Sequence, residues 1–177
     1  TMVQLREKHL DRAAFLAEAR ELKALCGRYG APFLINDDVA LTLEVRADGI
    51  HVGQSDMEAA EVRRRLGPDR ILGVSAQTVE QALGAEAAGA DYLGVGAVFP
   101  TGTKDDADAV SCDTLKAICA AVRIPVVAIG GIGPENVGKL AGSGVCGVAV
   151  VSALYAQADI QGAARKLLAL TREMVAR

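Results

Sequence analysis

No tryptophan occurs among the 177 residues, and aromatic side chains make up only 3% of them. Without that bulky filler a β-sandwich core is disfavoured, whereas plentiful alanine and 19 glycines suit close packing of helices on a sheet. Only four cysteines are present, Cys26, Cys112, Cys119 and Cys146, with no C-x-x-C or Cys/His spacing. That suggests neither a zinc nor a redox motif, and most of them are expected to be reduced packing residues. His9 and His51 are the two histidines, and no Ser/His/Asp arrangement accompanies them. The longest apolar runs, such as Val145 to Leu154, are too short to cross a bilayer and contain Gly and Ser. Basic residues are not in excess: the net charge is −3 and the sequence pI near 5.4, so no overall field attracts nucleic acid or an anionic lipid surface. The N-terminus has neither a charged lead-in nor an apolar signal core, and the expectation is a cytoplasmic protein.

What is present is a regular alternation of short apolar runs and amphipathic stretches. A chain that is 51% hydrophobic at this length can bury roughly 70% of its unfolded surface. Met2 to Leu5 reads as a strand. Arg12 to Arg28 sets Phe15, Leu16, Ala19, Leu22, Leu25 and Cys26 on one helical face. Further strands are expected at 32–36, 47–53, 71–75, 91–99, 124–130 and 147–151. The helices between and after them are expected at 39–45, 56–66, 78–88, 113–122, 134–141 and 159–176. Ser55 and Glu58 have the spacing of a capping box, and Arg63-Arg64-Arg65 reads as a solvated face.

Seven βα units with short connections require parallel strands and right-handed crossovers. An open doubly wound sheet would place chemistry at one switch point, whereas here all seven strand ends carry polar or glycine residues. That distribution favours a TIM (β/α)8-type barrel. Because such a barrel has eight units, the expectation is that the first βα unit is missing from this chain, which is read as a single domain over residues 1–177.

The strand ends hold groups suited to phosphate and metal. Thr101, Thr103 and Lys104, with the N–H of Gly102, form a cluster of donors after the apolar run that Pro100 stops. Gln4, Arg6 and Lys8 share one strand parity. The two cations could hold phosphate oxygens, or could form surface ion pairs with Glu7, Asp11 or Glu44. Asp37 and Asp56 lie at consecutive strand ends and could supply hard oxygen ligands to Mg²⁺. Equally, Asp37 or Asp38 could cap the short helix and Asp56 could sit in a first turn. Gly130-Gly131 and Val151-Ser152 precede helix starts, where backbone N–H groups can meet an anion.

Taken together, Gln4-Leu5-Arg6-Glu7-Lys8, Asn36-Asp37-Asp38, His51 to Asp56, Val74-Ser75-Ala76, Val98 to Lys104, Ala128 to Ile132 and Val150 to Ala153 resemble, in order, the signatures of the thiamine-phosphate synthase family. The resemblance implies a barrel transferase. It joins 4-amino-2-methyl-5-pyrimidinylmethyl diphosphate to hydroxyethylthiazole phosphate, releasing diphosphate by a dissociative, Mg²⁺-assisted route.

By the same resemblance, Arg6, Lys8, Ser75 and Lys104 are catalytic and Asp37 and Asp56 hold the metal. Gln4, Leu5, Arg6, Glu7 and Lys8 bind substrate, Asn36 and Ser75 meet the pyrimidine, and Lys104 meets the diphosphate. Thr101, Gly102, Thr103, Gly131, Val151 and Ser152 surround the thiazole phosphate. Gly102 stands where the family often carries Ser or Pro. Two alternatives are a thiazole tautomerase-like isomerase, which would need no diphosphate or metal machinery, and a non-catalytic phosphate-binding barrel domain.

Overall fold

A computed structural model describes residues 1–101 and 109–176. The chain divides into two units, Thr1–Val74 with Ala87–Asp91, and Ser75–Glu86 with Tyr92–Arg177. In both, strands and helices alternate and every strand pair in register is parallel, as crossover helices demand.

The first unit orders β1 (Val3–Leu5), β2 (Phe33–Asn36), β3 (Gly49–Val52) and the start of β4 (Ile71–Ala76) side by side. Leu5 lies opposite Ile35, and Ile35 opposite Ile50. β2 is apolar on both faces: Phe33 and Ile35 enter a core with Leu5, Ala19, Cys26, Leu41 and Ala47, while Leu34 is equally buried. The helix α1 (Arg12–Arg28) has the expected bounds, with Asp11 capping it by accepting from the Ala14 N–H at 2.9 Å. Its seam onto the sheet runs Phe15, Leu16, Ala19, Leu22 and Cys26. Leu25, expected on that face, lies at its edge and is 38% exposed.

The next two helices differ in how they begin. The second, α2 (Val39–Glu44), is capped by Asp38, whose carboxylate accepts from the Leu41 N–H at 2.7 Å. The third, α3, spans Ala59–Leu66 rather than 56–66, and Glu58 stands at its N-cap without a side-chain capping bond. A tight turn delays it, since the Asp56 carboxylate accepts from the Gly53 N–H at 2.7 Å. The expected Ser55–Glu58 capping box is therefore replaced by an Asp56 turn.

The arginine run of α3 is also not simply a solvated face. Arg64 and Arg65 reach back to Glu61, but Arg63 folds inward with a side chain only 19% exposed. It donates to the carbonyls of Gly67, Arg70 and Gly89 and to the Asp91 carboxylate.

The second unit contains α4 (Val79–Ala87), β5 (Tyr92–Val95), α5 (Cys112–Ala121), β6 (Val126–Ile129), β7 (Gly147–Ala149), α6 (Ser152–Tyr155) and α7 (Ile160–Val175). β6 lies between β5 and β7. Thr78 caps α4 through the Gln81 N–H, and Ser111 caps α5 through the Thr114 N–H. The strand expected over 91–99 ends at Val95, although the N–H groups of Val98 and Phe99 still donate to the carbonyls of Ile129 and Gly130. The helix expected over 134–141 is only a 3-10 turn at Val137–Leu140, because Gly133, Gly138 and Gly142 bracket and interrupt it. α7 packs on this turn and on β7, burying Leu167 and Met174. No helix among the described residues is long and apolar enough to cross a membrane.

Candidate active site

Three side chains meet beyond the ends of β1, β2 and β3. The register places Asn36 opposite His51, so the residues that follow, Asp37 on one strand and Gly53 to Asp56 on the next, leave the sheet together. Asp37 takes a left-handed backbone conformation at φ 65°, held by its N–H to the His51 carbonyl at 2.9 Å. A non-glycine residue there is uncommon, and Asp is among the few that tolerate it. The conformation separates two neighbouring carboxylates. Asp38 turns to cap α2 and to accept from Arg12 at 2.7 Å, while Asp37 faces Lys8 and Asp56.

Lys8 Nζ donates to Asp37 Oδ2 at 2.5 Å. The Asp37 carboxyl is nevertheless pushed above its ordinary range, chiefly by burial, with the hydrogen-bonded Asp56 carboxyl adding to the rise while Lys8 opposes it. Two adjacent carboxylates with one ammonium form a locus short of positive charge. Hard oxygens in this arrangement fit Mg²⁺, which commonly takes one or two carboxylates and completes its shell with phosphate and water. No cluster of three or more His, Cys, Asp or Glu exists among the described residues, so the fit rests on the Asp37 and Asp56 pair.

The segment carrying Lys8 is shaped by Glu7. Its Oε1 accepts from the N–H groups of Lys8, His9 and Leu10, and the bonds from His9 and Lys8 hold its carboxyl below the usual range. Gln4, Arg6 and Lys8 are all exposed while Leu5 is buried, which matches the parity read from the sequence. Of the surface-pair partners expected for these cations, Glu44 is instead paired with Arg12 at 2.6 Å and Arg20 at 3.7 Å, while Lys8 pairs with Asp37.

In the second unit the polar ends follow β5, β6 and β7. Ile129 pairs with Ala149, so Gly130-Gly131 and Val150-Val151 leave adjacent strands side by side. Gly130 and Gly131 have φ of 99° and 61°, and a Cβ on Gly131 would lie 2.3 Å from the Pro100 carbonyl oxygen. Glycine is required there by both conformation and space. Thr101 follows immediately, and Val151 and Ser152 open α6 at the surface. Ser75 lies inside β4, half-buried, and Thr78 rather than Ser75 caps the next helix. Gly102, Thr103 and Lys104 lie outside the described residues.

Asn136 was not singled out by the sequence. Its Nδ2 donates to the Gly131 carbonyl at 2.8 Å and its Oδ1 accepts from the Gly133 N–H at 2.9 Å. The Gly133-x-x-Asn136 spacing, akin to the reciprocal half of a capping box, was the available signal.

Comparison with known proteins accords with this arrangement. The family described as "Thiamine monophosphate synthase" matches residues 1–154. A thiamine-phosphate synthase of Ruminiclostridium cellulolyticum is 52% identical over 168 residues, covering 95% of this chain and 80% of the relative. One from Clostridium tetani is 48% identical over 173 residues, covering 98% and 83%. The solved thiamine phosphate pyrophosphorylase of Pyrococcus furiosus superposes with a TM-score of 0.91 at 37% identity, covering 99% of this chain and 84% of that one. The chain belongs to the thiamine monophosphate synthase family.

Proposed function

We propose that this family member is a thiamine-phosphate synthase that joins pyrimidinylmethyl diphosphate to hydroxyethylthiazole phosphate through the residues at its strand ends. The observation that carries the reading is the meeting of Lys8, Asp37 and Asp56 beyond β1 to β3. An isomerase acting on a thiazole phosphate alone has no use for it.

Asp37 and Asp56 would hold Mg²⁺, which when bound neutralises diphosphate charge. Arg6 and Lys8 bind the diphosphate as it departs, Arg6 with a planar fork and Lys8 as a point charge. Lys104 is assigned the same anion by the family resemblance. Asn36 and Ser75 orient the pyrimidine, which is bound so that the methylene faces the thiazole nitrogen. C–O cleavage sends the electron pair to the diphosphate. The resulting pyrimidinylmethyl cation is captured by the nitrogen lone pair, so no protein nucleophile is needed. Thr101, Thr103, Gly102, Gly131, Val151 and Ser152 hold the thiazole phosphate. A TIM-type barrel in the cytoplasm is part of the same proposal. Its support is the alternating parallel βα order.

The test is incubation with both substrates and Mg²⁺, measuring thiamine phosphate and diphosphate together. Stoichiometric formation of both, abolished by a chelator and restored by Mg²⁺, is expected. Absence of product with both substrates present overturns the reading.

A further inference from the structure

We propose that Asn136 is a positioning residue for the thiazole-phosphate subsite, acting by fixing the peptide planes on either side of Gly131. This rests on the proposed assignment of that subsite. Two carbonyls in succession are held: Gly130 accepts from the Phe99 N–H at 3.2 Å, and Gly131 accepts from Asn136 Nδ2 at 2.8 Å. Both peptides are trans, so the N–H groups of Gly131 and Ile132 point away from the oxygens so held. Holding both carbonyls thereby fixes the direction of both N–H groups, which a backbone cradle for a phosphate oxygen requires.

The second bond of Asn136 makes the arrangement stiff. Because Oδ1 accepts from the Gly133 N–H at 2.9 Å, the amide cannot turn over without losing both bonds. The Asn136 N–H donates in turn to the Gly133 carbonyl at 3.2 Å, closing the turn from the other side. Gly131 also abuts the Phe99 and Pro100 carbonyls, immediately before Thr101. Loss of the Asn136 bond would therefore loosen the amides of one loop and the support of the next, while leaving Lys8, Asp37 and Asp56 untouched.

The experiment compares Asn136→Asp, which keeps the acceptor for Gly133 but loses the donor to Gly131, with Asn136→Ala, which loses both. Initial rates are measured with each substrate varied in turn, beside calorimetric titration of thiazole phosphate. KM and Kd for thiazole phosphate are expected to rise about tenfold or more, as for loss of an oriented hydrogen bond to an anion. KM for the pyrimidine diphosphate should stay within about twofold, as expected for a change confined to the other substrate's binding. Unchanged thiazole-phosphate KM and Kd overturn the inference while the functional reading stands. An equal rise for both substrates, or failure of both variants to fold, assigns Asn136 a purely structural role and also overturns it. If the unaltered protein makes no thiamine phosphate, the functional reading fails and this inference falls with it.

Discussion

Replacing Arg63 by Met should destabilise the protein far more than the same change at Arg64, although the two are neighbours in a basic run. The Arg63 guanidinium donates at 2.9 and 2.8 Å to the carbonyls of Gly67 and Arg70, at 3.0 and 2.8 Å to that of Gly89, and at 2.6 Å to the Asp91 carboxylate. The Gly67 and Arg70 bonds are partly buried and contribute about 1–1.5 kcal/mol each, as charge-assisted bonds that water replaces poorly. The Gly89 and Asp91 contacts are exposed and add at most about 1 kcal/mol together, since water satisfies those acceptors. The sum is about 2–4 kcal/mol, or a fall in Tm of about 5–15 °C for a domain of this size. Arg64 is 71% exposed and among the described residues pairs with Glu61 alone, so Arg64→Met should cost about 0.5 kcal/mol or less. Urea unfolding followed by circular dichroism measures both. Arg63→Met within about 0.5 kcal/mol of Arg64→Met would refute the claim that this side chain ties α3 to β4 and to the turn before β5.

Further expectations concern neighbouring residues with opposite duties. Asp38→Ala should cost about 1 kcal/mol through loss of the α2 cap and keep most activity; Asp37→Ala should lower kcat/KM by about 100-fold or more with little change in the melt. Equal activity losses would show that the two carboxylates were not separated as described. Gly131→Ala should lower both stability and thiazole-phosphate affinity, because the new Cβ would lie 2.3 Å from the Pro100 oxygen in a left-handed backbone; an unchanged melt and KM would contradict that placement. Burial pushes the Asp48 carboxyl up, but Lys23 and the Phe33 N–H outweigh it and leave it below its ordinary value. Its folded pKa thus lies below its unfolded one. The stability it confers is present above the unfolded pKa of about 3.9 and is lost as pH falls through the folded value. The stability gap between wild type and Asp48→Asn should narrow as pH falls from 6 to 3, and a gap that widens would reverse the assigned shift.

The parts of this fold that could be read in the sequence are those decided by short-range pattern. Phe33 to Ile35 is apolar because β2 is covered on both faces, and the bounds of α1 follow from Asp11 and the spacing of Phe15, Ala19, Leu22 and Cys26. What could not be read depends on backbone angle or on partners distant in sequence. Either Asp37 or Asp38 satisfies the chemistry of a cap, and only φ of 65° at Asp37 settles which one turns toward Lys8. Arg63 resembles its two neighbours until the Gly89 carbonyl, 26 residues later, is brought to it. Asn136 is one polar residue in a short polar turn until its two bonds to Gly131 and Gly133 are known. The Gly102 to Lys104 assignments lie outside the described residues.

The proposed division of anion handling has a kinetic consequence that follows from where charge changes. Diphosphate gains a full negative charge at the bridging oxygen as C–O cleavage proceeds, so side chains that meet it are stronger partners in the transition state than in the ground state. On that proposal Lys8, a point charge on a long stem already paired with Asp37, suits the task because its ammonium can be reoriented toward the developing charge. The thiazole phosphate keeps its charge throughout. On the proposed assignment, backbone amides fixed by Gly131 and Asn136 would hold it equally before and during reaction, which is uniform binding. Lys8→Gln should therefore lower kcat and kcat/KM together, by about 10- to 100-fold, whereas Asn136→Asp should act mainly on the KM for thiazole phosphate. If Lys8→Gln instead raised only the KM for the pyrimidine diphosphate, Lys8 would be a ground-state anchor, and charge development at the leaving group would have to be met by other cations.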